Sequence, residues 1–365
     1  MADLARFGQE RRRSILDEVR LRGSVSVSDA ADRLGVSVVT VRRDITAMAR
    51  QGLLTRVHGG AVARRTAGRP VVASPAPMSA VRTVGVVTPS VDEFWSKVLS
   101  GAQAAASGYR GRLVLRTSSQ GIDDDRRQAQ RLVATGRIEG LLVAPGPQSE
   151  QSDELFAWLD TLEIPVVLME RTVPEPVFAG HLEWVSSDQL HSIELAVQHL
   201  TGLGHRRIEL LLNEDAPRRA RARDAWIRVC RNFGLDPDAV FCGDIPCLGG
   251  DDCDGRWDGV IARLLASDTT AVIVHSDAEA IALLQRCQEL GVEVPGDVSL
   301  VSYDDEIAAL PDPALTAIRP PKRQIGFEAA SLVFRRLADP TMPLHRLMLT
   351  CELAVRATTG TPKRH

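Results

Sequence analysis

The chain has 365 residues, room for two or three domains of ordinary size. Hydrophobic residues make up 44% and charged residues 25%, the balance of a globular protein with a buried core. No run of about 18 apolar residues is present to span a membrane. The formal net charge of −3 argues against a nucleic-acid binder only until it is divided along the chain.

Residues 1–82 hold 15 Arg, no Lys and 7 acidic residues, a balance of +8. Residues 83–365 hold 29 basic and 40 acidic residues, a balance of −11. A basic head on an acidic body places any contact with a polyanion at the head. The N-terminal stretch MADLARFGQERRR lacks the apolar segment of a signal peptide, so a cytoplasmic location is expected. The six cysteines, all from Cys230 onward, then read as reduced thiols rather than a disulfide framework. Only Lys97, Lys322 and Lys363 are lysines, and the arginine excess reads as a mark of GC-rich coding.

In the head, Ile15, Leu16, Val19 and Leu21 form a helical apolar stripe ended by Gly23. Val25-Ser26-Val27 reads as a short extended link. Ser28 is placed to cap a helix through Leu34, stopped by Gly35. Ser37 is placed to cap a second helix reaching about Gln51. In that helix Val41, Ile45 and Met48 recur at core spacing, while Thr40, Arg43 and Ala47 take another face. Residues 53–57 read as a strand, His58-Gly59-Gly60 as a tight turn and residues 61–63 as its return. Helix-turn-helix followed by a hairpin is a winged arrangement.

This arrangement suits DNA. A helix N-terminus offers free N–H groups and positive potential to phosphate. Arg42 and Arg43 sit one turn into the second helix, where a guanidinium fork can meet a guanine edge or a phosphate. Arg56 and His58 in the wing are within reach of an adjacent backbone or minor groove. The residue pattern leaves open which arginine touches a base.

Residues 64–82, rich in Pro, Ala, Gly and Ser, read as a linker. From residue 83 short apolar runs alternate with amphipathic stretches. Strands are expected at 84–88, 113–117, 140–144, 166–169, 185–187, 208–212, 271–275 and 298–303. Helices are expected at 93–107, 123–134, 190–203, 220–233 and 277–290, and 347–358 reads as extended. The alternation predicts parallel α/β sheets, and the length divides them into two lobes.

The body shows no phosphate loop, nucleophile elbow or HExxH zinc helix. Asp251-Asp252-Cys253-Asp254-Gly255 lacks the flanking ligands of a calcium loop, and Cys242, Cys247 and Cys253 lack zinc spacing. No metal, cofactor or enzymatic activity is expected. Polar residues do gather at strand C-termini, where open α/β sheets bind ligands. Phe94-Trp95 follow the first strand, Glu170-Arg171 the fourth and Asp188 the fifth. Asp277 and Tyr303-Asp304-Asp305 follow later strands. Carboxylates, an arginine and an aromatic platform suit a polyol. Phe94 and Trp95 read equally well as core, and Asp277 equally well as a helix cap.

Two resemblances extend this reading. Val25 to Ser37, Thr40-Val41-Arg42-Arg43-Asp44-Ile45 and Gly52-Leu53-Leu54-Thr55-Arg56-Val57-His58-Gly59-Gly60-Ala61-Val62 resemble the winged helix-turn-helix of DeoR-family regulators. That likeness implies that Ser37, Thr40, Arg42 and Arg43 approach DNA, with Arg56 and His58 on the wing and Asp44 in a structural role. Leu203-Gly204-His205-Arg206-Arg207-Ile208, Val294 to Asp305 and Leu315-Thr316-Ala317-Ile318-Arg319 resemble the effector-binding core of the lac-repressor family, which has a periplasmic-binding-protein fold. It implies that Phe94, Trp95, Glu170, Asp188 and Asp304 lie in an effector pocket. Ala222 stands where that family often has arginine, so Arg219, Arg221 or Arg223 is a substitute.

Together they imply three parts: a winged helix-turn-helix at 1–63, a linker at 64–82 and a two-lobed α/β effector domain at 83–360. The expected function is a DNA-binding repressor that answers to a sugar-like effector. Its expected partners are operator DNA, that small molecule and a second copy of the chain in a homodimer or higher homo-oligomer, with no membrane. The alternative is a sugar-binding protein or sugar-processing enzyme on the same scaffold.

Overall fold

A computed structural model describes residues 11–12, 15, 19, 24–50, 54–57, 60–63, 81–118, 122–146, 151–173, 180–213, 219–235, 242–245 and 253–363. The chain divides into two compact units, residues 1–74 and 75–365.

The first unit contains β1 (Ser24–Ser26), α1 (Val27–Leu34), α2 (Val38–Arg50), β2 (Leu54–Val57) and β3 (Gly60–Ala63). Ile15, Val25, Val41, Ile45, Met48 and Leu54 are among its buried side chains. The stretch expected as a link is a paired strand: β1 runs antiparallel to β3, which pairs in turn with β2. The first helix starts at Val27, two residues before the start that a Ser28 cap implies, and Val27 itself is buried in the core. Ser28 therefore lies inside the helix, its hydroxyl 2.8 Å from that of Ser26. Gly35 has φ +61°, the left-handed conformation that ends a helix and suits glycine. His58 lies outside the described residues. Arg56 is placed only as a backbone position on β2.

The second unit is two lobes, each around a six-stranded sheet. The first lobe has β4 (Thr83–Thr88), α3 (Glu93–Gly108), β5 (Arg112–Thr117), α4 (Ile122–Ala134), β6 (Gly140–Val143), α5 (Gln151–Asp160), β7 (Val166–Met169) and β8 (Glu183–Ser187). The second has α6 (Gln189–Gly202), β9 (Ile208–Asn213), α7 (Arg219–Asn232), β10 (Cys242–Ile245), α8 (Cys253–Ala266), β11 (Ala271–His275), α9 (Asp277–Glu289), β12 (Ser299–Tyr303) and β13 (Thr316–Arg319). The chain then returns as α10 (Lys322–Ala338), β14 (Arg346–Leu349) and β15 (Glu352–Ala354).

The first sheet runs β14-β8-β7-β6-β4-β5, all parallel. The second runs β10-β9-β11-β12-β13-β15, parallel except for β15. The expected 347–358 run therefore splits between the lobes. The polypeptide crosses from lobe to lobe three times: at Asp188, after Arg319, and at the 350–351 step.

β4, β6 and β7 are buried throughout, as strands covered on both faces must be. Alternate side chains feed opposite faces: Val84 and Val86 meet α3 and α10, while Val87 joins a separate cluster with Leu141 and Phe156. α3 and α10 approach closely enough to need glycine on both helices. A Cβ on Gly101 would overlap the Arg323 carbonyl, and one on Gly326 would overlap the Val98 carbonyl. Among the described residues, no helix is long and apolar enough to cross a membrane.

Candidate functional site

The first site is the exposed face of α2. Ser37 precedes the helix and its hydroxyl accepts from the Thr40 amide at 3.2 Å, an N-cap bond. The two hydroxyls lie 2.9 Å apart. Val41, Asp44, Ile45 and Met48 are buried, which leaves Arg42 and Arg43 exposed on the other side. The Asp44 carboxylate accepts from Arg11 Nε at 2.6 Å and Arg12 Nε at 2.8 Å, fastening the start of the unit to this helix. Burial alone would raise the Asp44 carboxyl. The two arginines outweigh it and hold the group below the usual carboxylate range. Asp44 is thus structural, and it serves Arg11 and Arg12 rather than its neighbours on the helix.

The second site lies where the two lobes meet, beyond the C-terminal ends of the parallel strands. It has two clusters. In the first, Glu170 and Asp188 line a cavity of about 320 Å³ together with Thr172, Ser186, Asp224 and Arg228. Glu170 follows β7 with φ +56° and is buried. It accepts from the Ser187 amide at 3.0 Å and the Ser187 hydroxyl at 2.9 Å, which orients its carboxylate at the first crossover. Asp188 caps α6, accepting from the His191 amide at 3.0 Å. Asp224 and Arg228, on α7, are additions that the sequence pattern did not single out.

The second cluster gathers Phe94, Asp277 and Asp304 around two lysines. The ring of Phe94 lies 5.5 Å from Lys322 Nζ, and Lys322 donates to the Asp304 carbonyl. Lys322 and Lys97 both pair with Glu306. Asp277 accepts from the Glu306 amide at 2.6 Å and the Ile307 amide at 3.0 Å through one oxygen. Its other oxygen is buried without a hydrogen-bond partner among the described residues. Ser276, not Asp277, stands at the N-cap of α9.

Other expected pocket residues turn elsewhere. Trp95 is buried in the first-lobe core, edge-on to Phe94 with centroids 5.3 Å apart, so of the pair only Phe94 is left as a platform. Arg171 is buried and donates to the carbonyls of Gly146 (3.3 Å) and Glu170 (2.9 Å), bracing the strand ends from within the lobe. The same Gly146 offers its amide to Asp125 at 2.7 Å. Burial raises the Asp125 carboxyl despite that bond, the Ser118 hydroxyl and the charge of Arg171. Arg219 and Arg221 are placed on α7, but their side chains lie outside the described set.

A larger cavity of about 560 Å³ opens at the opposite, N-terminal end of the first sheet. Both of its arginines are already paired within the lining, Arg82 with Glu139 and Arg336 with Glu183, so size is not the better guide to the site.

With this geometry in view, known proteins resemble the chain in both parts. Residues 11–67 match the model of the DeoR-like helix-turn-helix domain, and residues 197–359 match that of the periplasmic binding protein-like domain. The HTH-type transcriptional repressor PurR of Aliivibrio salmonicida is 27% identical over 323 residues, covering 86% of this chain and 92% of that protein. The ribose operon repressor of Escherichia coli is 26% identical over 281 residues, covering 75% and 81%. A LacI family transcriptional regulator from Enterococcus faecium, solved with bound ribose, superposes with a TM-score of 0.62 at 22% identity over 77% of this chain and 100% of its own. That last likeness is one of fold. The chain therefore joins a DeoR-like helix-turn-helix domain to a periplasmic-binding-protein-like domain.

Proposed function

We propose that this protein is a sequence-specific DNA-binding transcriptional repressor whose hold on its operator is modulated by a small sugar or sugar-like effector. The observation that carries the reading is the pairing of the two domain types in one chain, with all of the excess positive charge in the first. The boundaries we assign are 1–63 for the reader, 64–82 for the linker and 83–360 for the sensor.

Arg42 and Arg43 face DNA from α2, with Ser37 and Thr40 at its first turn and Arg56 and His58 on the wing. Glu170 and Asp188 accept hydroxyl hydrogen bonds from the effector, and Phe94, Asp277 and Asp304 approach it from the second cluster. Arg219 or Arg221 supplies a guanidinium from the start of α7. Arg171 and Trp95 support the pocket from behind. The residues serve binding, and no nucleophile and base pair is assigned to catalysis. The protein works in the cytoplasm as a homodimer or higher homo-oligomer, which suits a two-fold operator.

Three chain crossings between the lobes allow them to open and close about a narrow connection. An effector that prefers one state shifts that equilibrium, and the coupling to DNA is reciprocal. DNA selected from a random pool by the full-length protein provides the test, followed by thermal-shift and DNA-affinity measurements with pentoses, hexoses and purines. The reading expects one compound class to raise the melting temperature and change DNA affinity together. Turnover of a sugar with no selected DNA would overturn it in favour of the enzyme reading.

A further inference from the structure

We infer that Val39 reads the methyl group of a thymine in the DNA major groove. The inference rests on the reading of α2 as the DNA-contacting helix. Among the described residues of the first unit, the exposed large apolar side chains are Val38 and Val39, at 38% and 72% exposure. Both stand in the first turn of α2. A single exposed valine is ordinary on a protein surface. Its neighbours make this one informative.

Val39, Arg42 and Arg43 are related by i, i+3 and i+4, so they share one face, opposite the buried Val41, Asp44, Ile45 and Met48. Valine at an exposed helix position adds nothing to helix stability, because its branched side chain loses rotamer freedom there. The neighbouring Ser37 and Thr40 hydroxyls are bonded to each other at the cap. What projects at the tip of the helix is therefore an apolar methyl pair beside two guanidinium groups.

A basic face with an apolar spot matches the major groove of DNA, which carries both phosphate and methyl groups. In the major groove, thymine presents its C5 methyl among the hydrogen-bonding edges, and an apolar side chain is the group that meets it. The positive charge of Arg42, Arg43 and the helix N-terminus commits the occupant to DNA rather than to an apolar protein partner.

The test uses the full-length protein and the DNA it selects from a random pool. Each thymine is replaced in turn by uracil, which removes only the methyl, and affinity is read by fluorescence anisotropy. Wild type is expected to lose about fourfold at one thymine per half-site, the worth of one buried methyl. Val39→Ala is expected to bind with unchanged sensitivity at every other position and to lose the uracil effect at that one. Val39→Thr, which keeps one methyl, falls between. Equal uracil sensitivity in wild type and Val39→Ala, or no sensitivity at any thymine, overturns the assignment while leaving DNA binding intact. Failure to select any DNA overturns the reading of α2 itself.

Discussion

Glu306, in the second lobe, pairs across the lobe junction with Lys97 on α3 of the first, and the same carboxylate pairs with the buried Lys322. The two lysines differ in surroundings: the Lys97 side chain is 44% exposed and the Lys322 side chain 4%. Exposed pairs contribute little, so Lys97→Ala is expected to cost under about 1 kcal/mol in urea unfolding. Glu306→Gln leaves the Lys322 ammonium buried without its counter-charge and is expected to cost about 3 kcal/mol. Equal losses for the two variants would show that Lys322 does not depend on Glu306.

The crossing of α3 and α10 predicts a different kind of damage. At Gly101 and Gly326 each helix presses on the other's backbone, which has no soft side chain to yield. Gly101→Ala is expected to destabilise the second unit by about 1–3 kcal/mol, the usual cost of overpacking. A melting temperature within a degree of wild type would contradict the close approach.

Asp44 gives the first unit a pH dependence. Its carboxyl is held below the usual range by Arg11 and Arg12, against the opposing effect of burial. For a depressed acid the unfolded state binds the proton more readily. The pair's contribution is therefore complete above the ordinary carboxylate pKa and is lost as pH falls through the folded-state value. Asp44→Asn should speed hydrogen exchange in residues 38–50 at pH 7, and the difference from wild type should shrink in strong acid. A difference independent of pH would contradict the assignment.

Much of this was legible in the sequence, for identifiable reasons. Apolar strands such as Val166–Met169 and Ala271–His275 coincide with their expected bounds because burial on both faces demands an unbroken apolar run. β10 and β13 were not anticipated: Cys242–Ile245 holds Gly and Asp, and Thr316–Arg319 is short and ends in an exposed arginine. The helix α2 follows from the spacing of Val41, Ile45 and Met48, and all three are buried. Glu170 and Asp188 share a cavity because strand ends converge there. Periodicity could not tell Trp95 from Phe94, since adjacent positions on a helix differ by only about 100°. Nor could it bring Lys97 to Glu306, a contact between residues 209 positions apart. The sparse lysines were the available signal: two of only three in the chain meet at one carboxylate.

The most direct measurement is the affinity of the full-length protein for its selected DNA across a salt series, compared with Arg43→Ala. Wild-type affinity is expected to fall steeply with salt as phosphate counterions are released. Arg43→Ala is expected to bind at least about tenfold more weakly, with a slope shallower by about 1 if its partner is a phosphate and relaxed sequence preference if it is a base. Its effector-induced thermal shift should be unchanged. Equal affinity, slope and sequence preference in the two proteins would contradict DNA recognition by this helix.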